Sequence, residues 1–341
     1  MLFQVNKHSL WFKTTCVLIF VVFFLLILFY SAQGAVCSNS DSDSKPNNQN
    51  QEYQCRFYVD DDATGIMDGS SQNPFQKISH ALKQADRFCN CKKVYIRSGY
   101  YQENNLRIKE GVHVSGSGAN EVIIDGNNNY ENVIIMDHKT KLHHVTVKGG
   151  KNGIKVKSKS RVLLWDVIVR DNNRDGVNVK ESEDIKDKYQ VSIHKSKLIN
   201  NNWNGLYAEK SKFYIEDTLI RDNRRDGAEV RPGSKGTFKD IGFKDNQGLG
   251  LRLTIDNSKI FIKDCTFRDN EKSGLEVRYR EKKGYIKIED QTKFYENNRY
   301  GIVRLIENEL KQHQWEWYFK VSDSTKFRDN DQGNQSHLIE L

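Results

Sequence analysis

VRDNNRDGVNV (169–179), INNNWNGLYA (199–208), IRDNRRDGAEV (220–230), FKDNQGLGLRL (243–253), FRDNEKSGLEV (267–277) and FYENNRYGIV (294–303) are versions of one motif, and FRDN returns at 327–330. Aligned on the asparagine four residues before each glycine, they superpose Asn172, Asn201, Asn223, Asn246, Asn270 and Asn297, with Asn330 one residue out of step. Successive spacings are 29, 22, 23, 24, 27 and 33 residues. A core period near 23 with insertions in some turns is the signature of a solenoid.

The columns of this alignment have distinct physical characters. Three residues before the asparagine stand Val169, Leu198, Ile220, Phe243, Phe267, Phe294 and Phe327. Five before it stand Val167, Ser196, Thr218, Ile241, Cys265, Thr292 and Thr325, and one after the glycine come Val177, Leu206, Ala228, Leu251, Leu275 and Ile302. Apolar columns alternate with polar ones, so each coil is expected to hold short strands of period two. Like residues then stack at about 4.8 Å from coil to coil, with four phenylalanines in one file. The asparagine column fits a buried turn whose amides bond one another and whose backbone enters the left-handed region. Cys265 is expected in the core.

Composition agrees. The chain has 341 residues and only three prolines, Pro46, Pro74 and Pro232. Coils that donate ladder hydrogen bonds almost throughout have little room for proline, and their turns fall to Asn, Asp and Gly. A net charge of +8 from 53 basic and 45 acidic residues excludes a polyanion. It is too diffuse to indicate nucleic-acid binding.

The amino terminus reads differently. Residues 14–30, TTCVLIFVVFFLLILFY, are uncharged and come after Lys7, His8 and Lys13. This is the pattern of a single membrane anchor with its positive flank inside, or of a cleaved signal peptide. Either exports the remainder of the chain. Residues 38–54 are polar and read as a flexible stalk. Cys55 faces Cys89 and Cys91 across one small segment, so a disulfide from Cys55 to Cys89 or Cys91 is expected in an exported protein. The expected organisation is 1–13 cytoplasmic, 14–31 anchor or signal, 32–56 stalk, 57–110 N-terminal cap, 111–332 solenoid and 333–341 tail.

Short strands, an asparagine turn and about 23 residues per coil resemble the right-handed parallel β-helix of the pectate-lyase-like superfamily. FYVDDD (57–62), DGSSQNPFQKISHAL (68–82), VHVSGSG (112–118) and VIIDG (122–126) resemble the opening of many of its secreted members, in which a strand and short helix cap the first coil. Here Asn73 and Pro74 are suited to N-cap and N1 of that helix. Phe75, Ile78, Leu82 and Ala85 form its apolar face. The resemblance implies an all-β fold. It does not settle activity, because the fold hosts lyases, hydrolases, epimerases and non-catalytic adhesins.

In catalytic members the substrate crosses the outside of the strand preceding the one that enters the asparagine turn. Here those strands centre on Leu163, Ser192, Tyr214, Thr237, Phe261, Lys287 and Lys320, with a second outward row Trp165, His194, Glu216, Lys239, Lys263 and Glu289. Trp165, Tyr214 and Phe261 are the candidates for stacking on sugar rings. His194, Glu216, Lys239 and Lys263 are the catalytic candidates, with Lys239 or Lys263 as base if neighbouring cations lower its pKa. Glu216 and Glu289 are three coils apart, about 14 Å at the usual strand spacing, too far for a glycosidase pair. Asp217, Asp240 and Asp264 recur at one turn of adjacent coils and are the candidate calcium ligands. A second acidic file, Asp171, Asp222, Asp245, Asp269, Glu296 and Asp329, runs beside Arg170, Arg221, Lys244, Arg268 and Arg328, as repetition alone produces. Asp60, Asp62, Thr64 and Gly65 imitate a calcium loop but lack a glutamate at its twelfth position and flanking helices, which leaves a structural turn. His113, His138, His143 and His144 lack ligand spacing.

The expectation is therefore an exported, membrane-anchored monomer whose long face binds polysaccharide or another extended polymer without catalysis. The alternative is a lyase or C5-epimerase acting on uronate-rich glycans, with Ca2+ as its cofactor.

Overall fold

The computed structural model describes residues 56–87, 92–181, 189–280, 284–307 and 312–340. The apolar run 14–30, the stalk, and Cys55, Cys89 and Cys91 with their expected disulfide lie outside these residues. Among the described residues no helix is long and apolar enough to cross a membrane.

The described residues form a parallel β-helix. One sheet has 17 strands and the other has ten. A coil such as 212–230 lays Lys212–Arg221 along the first sheet and Ala228–Val230 along the second. Residues in register on successive coils, Ser192, Tyr214, Thr237, Phe261 and Lys287, are 22, 23, 24 and 26 positions apart, close to the period in the sequence. First-sheet strands bury alternate side chains, as Phe213 and Ile215 do, and in the second sheet Ala228 and Val230 are buried with Glu229 between them. The resulting core is a column of stacked files. Phe243, Phe267 and Phe294 lie nearly parallel, with centroids 4.7 and 4.6 Å apart, and Phe327 comes next at 5.2 Å. Cys265 is fully buried in this core.

The asparagine column is a continuous buried ladder. Side-chain amides donate to the next coil's Oδ1 from Asn172 to Asn201 (2.9 Å), Asn223 (3.1 Å), Asn246 (3.0 Å), Asn270 (3.0 Å), Asn297 (2.9 Å) and Asn330 (2.8 Å). Each of these Oδ1 atoms also accepts the backbone N–H of the asparagine one coil earlier, as Asn246 does from Asn223. Asn330, out of step in the sequence, is in step here. The left-handed residue is not the ladder asparagine, as expected, but the one before it: Asp171, Asn200, Asp222, Asp245, Asp269, Glu296 and Asp329 have φ of 52–57°. The ladder residue itself must aim its amide inward, and the turn is made by its exposed neighbour. The glycines of the motif answer a different need. A Cβ on Gly227 would sit 2.5 Å from the carbonyl oxygen of Gly250 and 2.8 Å from the Asn246 amide.

The solenoid is longer than its sequence boundaries. Lys93–Ile96, Gly99–Gln102 and Leu106–Ile108, placed in the cap by the sequence, pair in register with strands of the next coil. Gly333–Glu340, read as tail, pairs with Tyr300–Ile306 as the last strand of the second sheet. The early coils carry no Asn-x-x-x-Gly motif, and strand 333–340 lies beyond its last partial copy, so the repeat could not delimit either end. Helix α1 spans Ile78–Arg87, four residues later than an Asn73 cap implies. Its first free N–H groups are met from elsewhere: the Glu103 carboxylate accepts from Ile78 N at 2.6 Å and Ser79 N at 3.1 Å. Ile78, Ala81, Leu82 and Ala85 are buried. Helix α2, Gln312–Tyr318, is an excursion before the last coil, where Trp315 is buried and packs on Phe319 at 5.8 Å.

Candidate functional site

The two outward rows read from the sequence are rows in the structure. Leu163, Ser192, Tyr214, Thr237, Phe261, Lys287 and Lys320 are successive register partners, and so are Trp165, His194, Glu216, Lys239, Lys263 and Glu289. Alternation brings this about: their neighbours Leu164, Ile193, Ile215, Phe238, Ile262 and Ile288 are buried, which turns both rows outward on one face.

At one end the face is aromatic. The Trp165 and His194 rings lie 5.3 Å apart, His194 and Tyr214 5.7 Å, and Tyr189 and Tyr214 5.3 Å. Lys195 places its ammonium 5.2 Å from the Trp165 centroid. Further along the face is ionic. Lys239 binds Glu216 at 2.7 Å, Lys263 binds Glu289 at 2.7 Å and Lys287 binds Glu289 at 2.6 Å. Phe261 lies between them with Tyr285 edge-on at 5.7 Å and ammonium groups of Lys259 and Lys263 at 5.7 and 5.8 Å.

These ion pairs weigh against Lys239 or Lys263 as a base. The hydrogen bond to Glu216 holds the Lys239 ammonium above its ordinary pKa, and that to Glu289 does the same for Lys263. Glu216 is held below the usual carboxylate range, chiefly by Lys239, and Glu289 by Lys263 and Lys287. Both lysines are therefore proton-loaded at neutral pH. The neighbours that matter are carboxylates of the same face rather than the cations expected. His194 has its Nδ1 3.5 Å from Glu216. The three register steps between Glu216 and Glu289 keep them apart as a glycosidase pair.

Asp217, Asp240 and Asp264 occupy the bend that divides each long strand of the first sheet. Together with Lys195, Lys197 and Lys244 they line an open groove of 620 Å³. Their ligand atoms do not all lie within 4.8 Å of one another. Among the described residues, the one set of at least three His, Cys, Asp or Glu whose ligand atoms lie within 4.8 Å of one another is Asp60, Asp61 and Asp62. There Asp60 binds Arg97 at 2.9 Å and Asp61 accepts from Tyr100 N at 2.7 Å, which accounts for two of the three as parts of a structural turn. At the bend, Asp166, Asp217, Asp240 and Asp264 have φ of 48–53°. Aspartate is one of the few side chains tolerated there, so the row results from backbone geometry.

Three residues of the second row, Ser115, Tyr95 and Tyr58, escaped the sequence reading. Register carries the row upstream from Trp165 to His143 and then to these three, and Tyr58 meets Tyr95 at 5.8 Å. The alternation in FYV (57–59) and KVYI (93–96) was the available signal, but the alignment began at Asn172.

Residues 184–312 match the family model described as right handed beta helix region. No curated protein matches the chain. Among solved structures it resembles full-length tailspike protein 2 from the Escherichia coli O157:H7 bacteriophage CAB120, with a TM-score of 0.51 and 12% identity over 73% of this chain. The chain spans 39% of that protein's length. The A-module of an Azotobacter vinelandii mannuronan C-5 epimerase is similar at a TM-score of 0.49 and 15% identity, covering 83% of this chain and 99% of that one. A pectate lyase, Pel9A, is similar at 0.47 and 12%, covering 83% and 79%. At 12% identity the likeness to the tailspike protein is one of fold alone.

Proposed function

We propose that the first sheet of this β-helix, with its exposed face, binds an extended polysaccharide without catalysing its cleavage. The observation that carries the reading is the outward cluster of rings that crosses both rows, Trp165, His194 and Tyr214, leading into a strip of paired lysines and glutamates and bordered by the 620 Å³ groove. Rings offer flat apolar surface to sugar faces. Lys195, Lys197 and Lys244 supply cations for carboxylate substituents. A lyase or epimerase would need a base to remove a proton beside the uronate carboxylate. Lys239 and Lys263, the residues nominated for that task, are held protonated by their glutamate partners. In this reading residues 14–31 hold the protein, as a monomer, at the outer face of a membrane.

The purified chain is to be titrated against pectate, alginate and heparin-type polysaccharide, with and without calcium, while ultraviolet absorbance tracks unsaturated products. The expected outcome is saturable binding to at least one polymer with no absorbance rise. Trp165→Ala or Tyr214→Ala should weaken it about 3- to 10-fold per ring. Product formation would replace this reading with the lyase, and binding to none of the polymers would end it.

A further inference from the structure

The second sheet carries a separate feature. Thr254 and Arg278 are register partners, as are Arg252 and Glu276, while Arg231 and Arg280 continue the strands that end at Val230 and Tyr279. With Pro232 and Glu307 these four arginines and Thr254 enclose a pocket of 180 Å³. Most of their ion-pair partners are not part of its lining. Arg231 meets Glu229 at 3.3 Å, Arg252 meets Asp226 at 3.2 Å and Arg278 meets Glu276 at 3.3 Å. None of those three carboxylates lines the pocket. Glu307, which does, is shared by Arg278 at 3.1 Å and Arg280 at 3.6 Å. The lining thus holds four guanidinium groups and one carboxylate, while Glu229, Asp226 and Glu276, the last also 3.5 Å from Arg252, pair with three of the arginines from outside it. Moreover, Nε of Arg231 and Nε of Arg278 are shut off from solvent and have no hydrogen-bond acceptor, a costly state for a donor on a charged group.

Guanidinium groups present parallel donors that match the oxygens of oxyanions. The volume limits what enters, because sites for whole drug-sized ligands are larger, about 300–1,000 Å³. We propose that this pocket is a binding site for a tetrahedral oxyanion, a sulfate or phosphate group, held by Arg231, Arg252 and Arg278. The proposal is independent of the polysaccharide reading, which concerns the other sheet.

Isothermal titration of the full chain with sodium sulfate and sodium phosphate, at ionic strength held constant with chloride, tests it. Saturable binding at one site per chain is expected. Arg231→Gln and Arg278→Lys should each weaken it at least about 10-fold, with folding verified by circular dichroism. Arg278→Lys keeps the charge and removes the fork, so a loss there reports geometry. Lys272→Gln, on an exposed turn, should bind as the wild type does. A heparin-type hexasaccharide in a parallel arm separates the sources: tighter binding than inorganic sulfate that Arg278→Lys weakens assigns the site to a sulfate ester, equal binding to the free ion. Absence of saturable binding in both arms, or wild-type affinity in both arginine variants, would overturn the proposal.

Discussion

Asp175 and Asp217 show how differently one residue type is used in this chain. Asp217 is exposed at a bend with φ of 48°, where its short polar side chain eases a conformation most residues avoid. Asp175 is buried just before the motif glycine. Its Oδ1 accepts from Asn204 N and Nδ2 at 3.4 and 3.1 Å, and its Oδ2 accepts from Asn178 Nδ2 at 2.8 Å. Burial, only partly offset by these bonds, pushes its carboxyl above the usual range. The folded state then holds the proton more tightly than the unfolded chain does. This contribution to stability is complete below the unfolded value, about 3.9, and is lost as pH rises through the folded one. Asparagine never ionises and keeps one of the two acceptor oxygens; the acceptor it loses is a cost that does not vary with pH. Asp175→Asn should therefore gain stability relative to the wild type as pH is raised from about 4 to 7, with the least favourable difference at the acid end. Urea unfolding of both proteins across that range measures it, and a difference independent of pH would show that Asp175 ionises as readily folded as unfolded.

The ladder is the element that converts repetition into structure. Asn246 Oδ1 accepts from both N and Nδ2 of Asn223, while its Nδ2 donates to Asn270 Oδ1 at 3.0 Å and Ile220 O at 3.2 Å. Asn246→Ala strands two buried donors at about 1–3 kcal/mol each, so a loss of about 2–6 kcal/mol is expected by denaturant unfolding. A loss below about 1 kcal/mol would mean that water enters the turn and replaces the amide. This element was legible because each of its columns repeats a single residue type: the asparagines, the phenylalanines and the outward rows all fell where the sequence put them. A second buried run, Asn152, Asp175, Asn204 and Asp226, was not legible, since Leu249 and Ser273 interrupt the column. The Glu103 cap of α1 depends on a contact 25 residues away, beyond any local rule. For the face, positions were legible and chemistry was not. Lys239 and Lys263 were correctly placed, but their protonation depends on which neighbour each ammonium reaches.

In a solenoid each coil touches only its neighbours, so stability is nearly a sum over coils and their interfaces. Central coils are stabilised from two sides and terminal coils from one. The two ends of the described solenoid are not equivalent. The first is covered by α1, whose apolar side is buried. At the other, Gly333–Glu340 is mostly exposed and its pairing slips in register between Ile302 and Arg304. Phe327, last of the stacked rings, is only partly buried where Phe267 and Phe294 are fully so. Opening should therefore begin at the carboxyl end and travel inward, with the coils around Asn223 and Asn246 opening last. In native-state hydrogen exchange, amides of 319–340 should exchange at least about 100-fold faster than those of 213–267, with 57–59 between them. Protection that is uniform along the chain would make the described residues one cooperative unit. Faster exchange at 57–59 than at 319–340 would show that α1 does not seal its end.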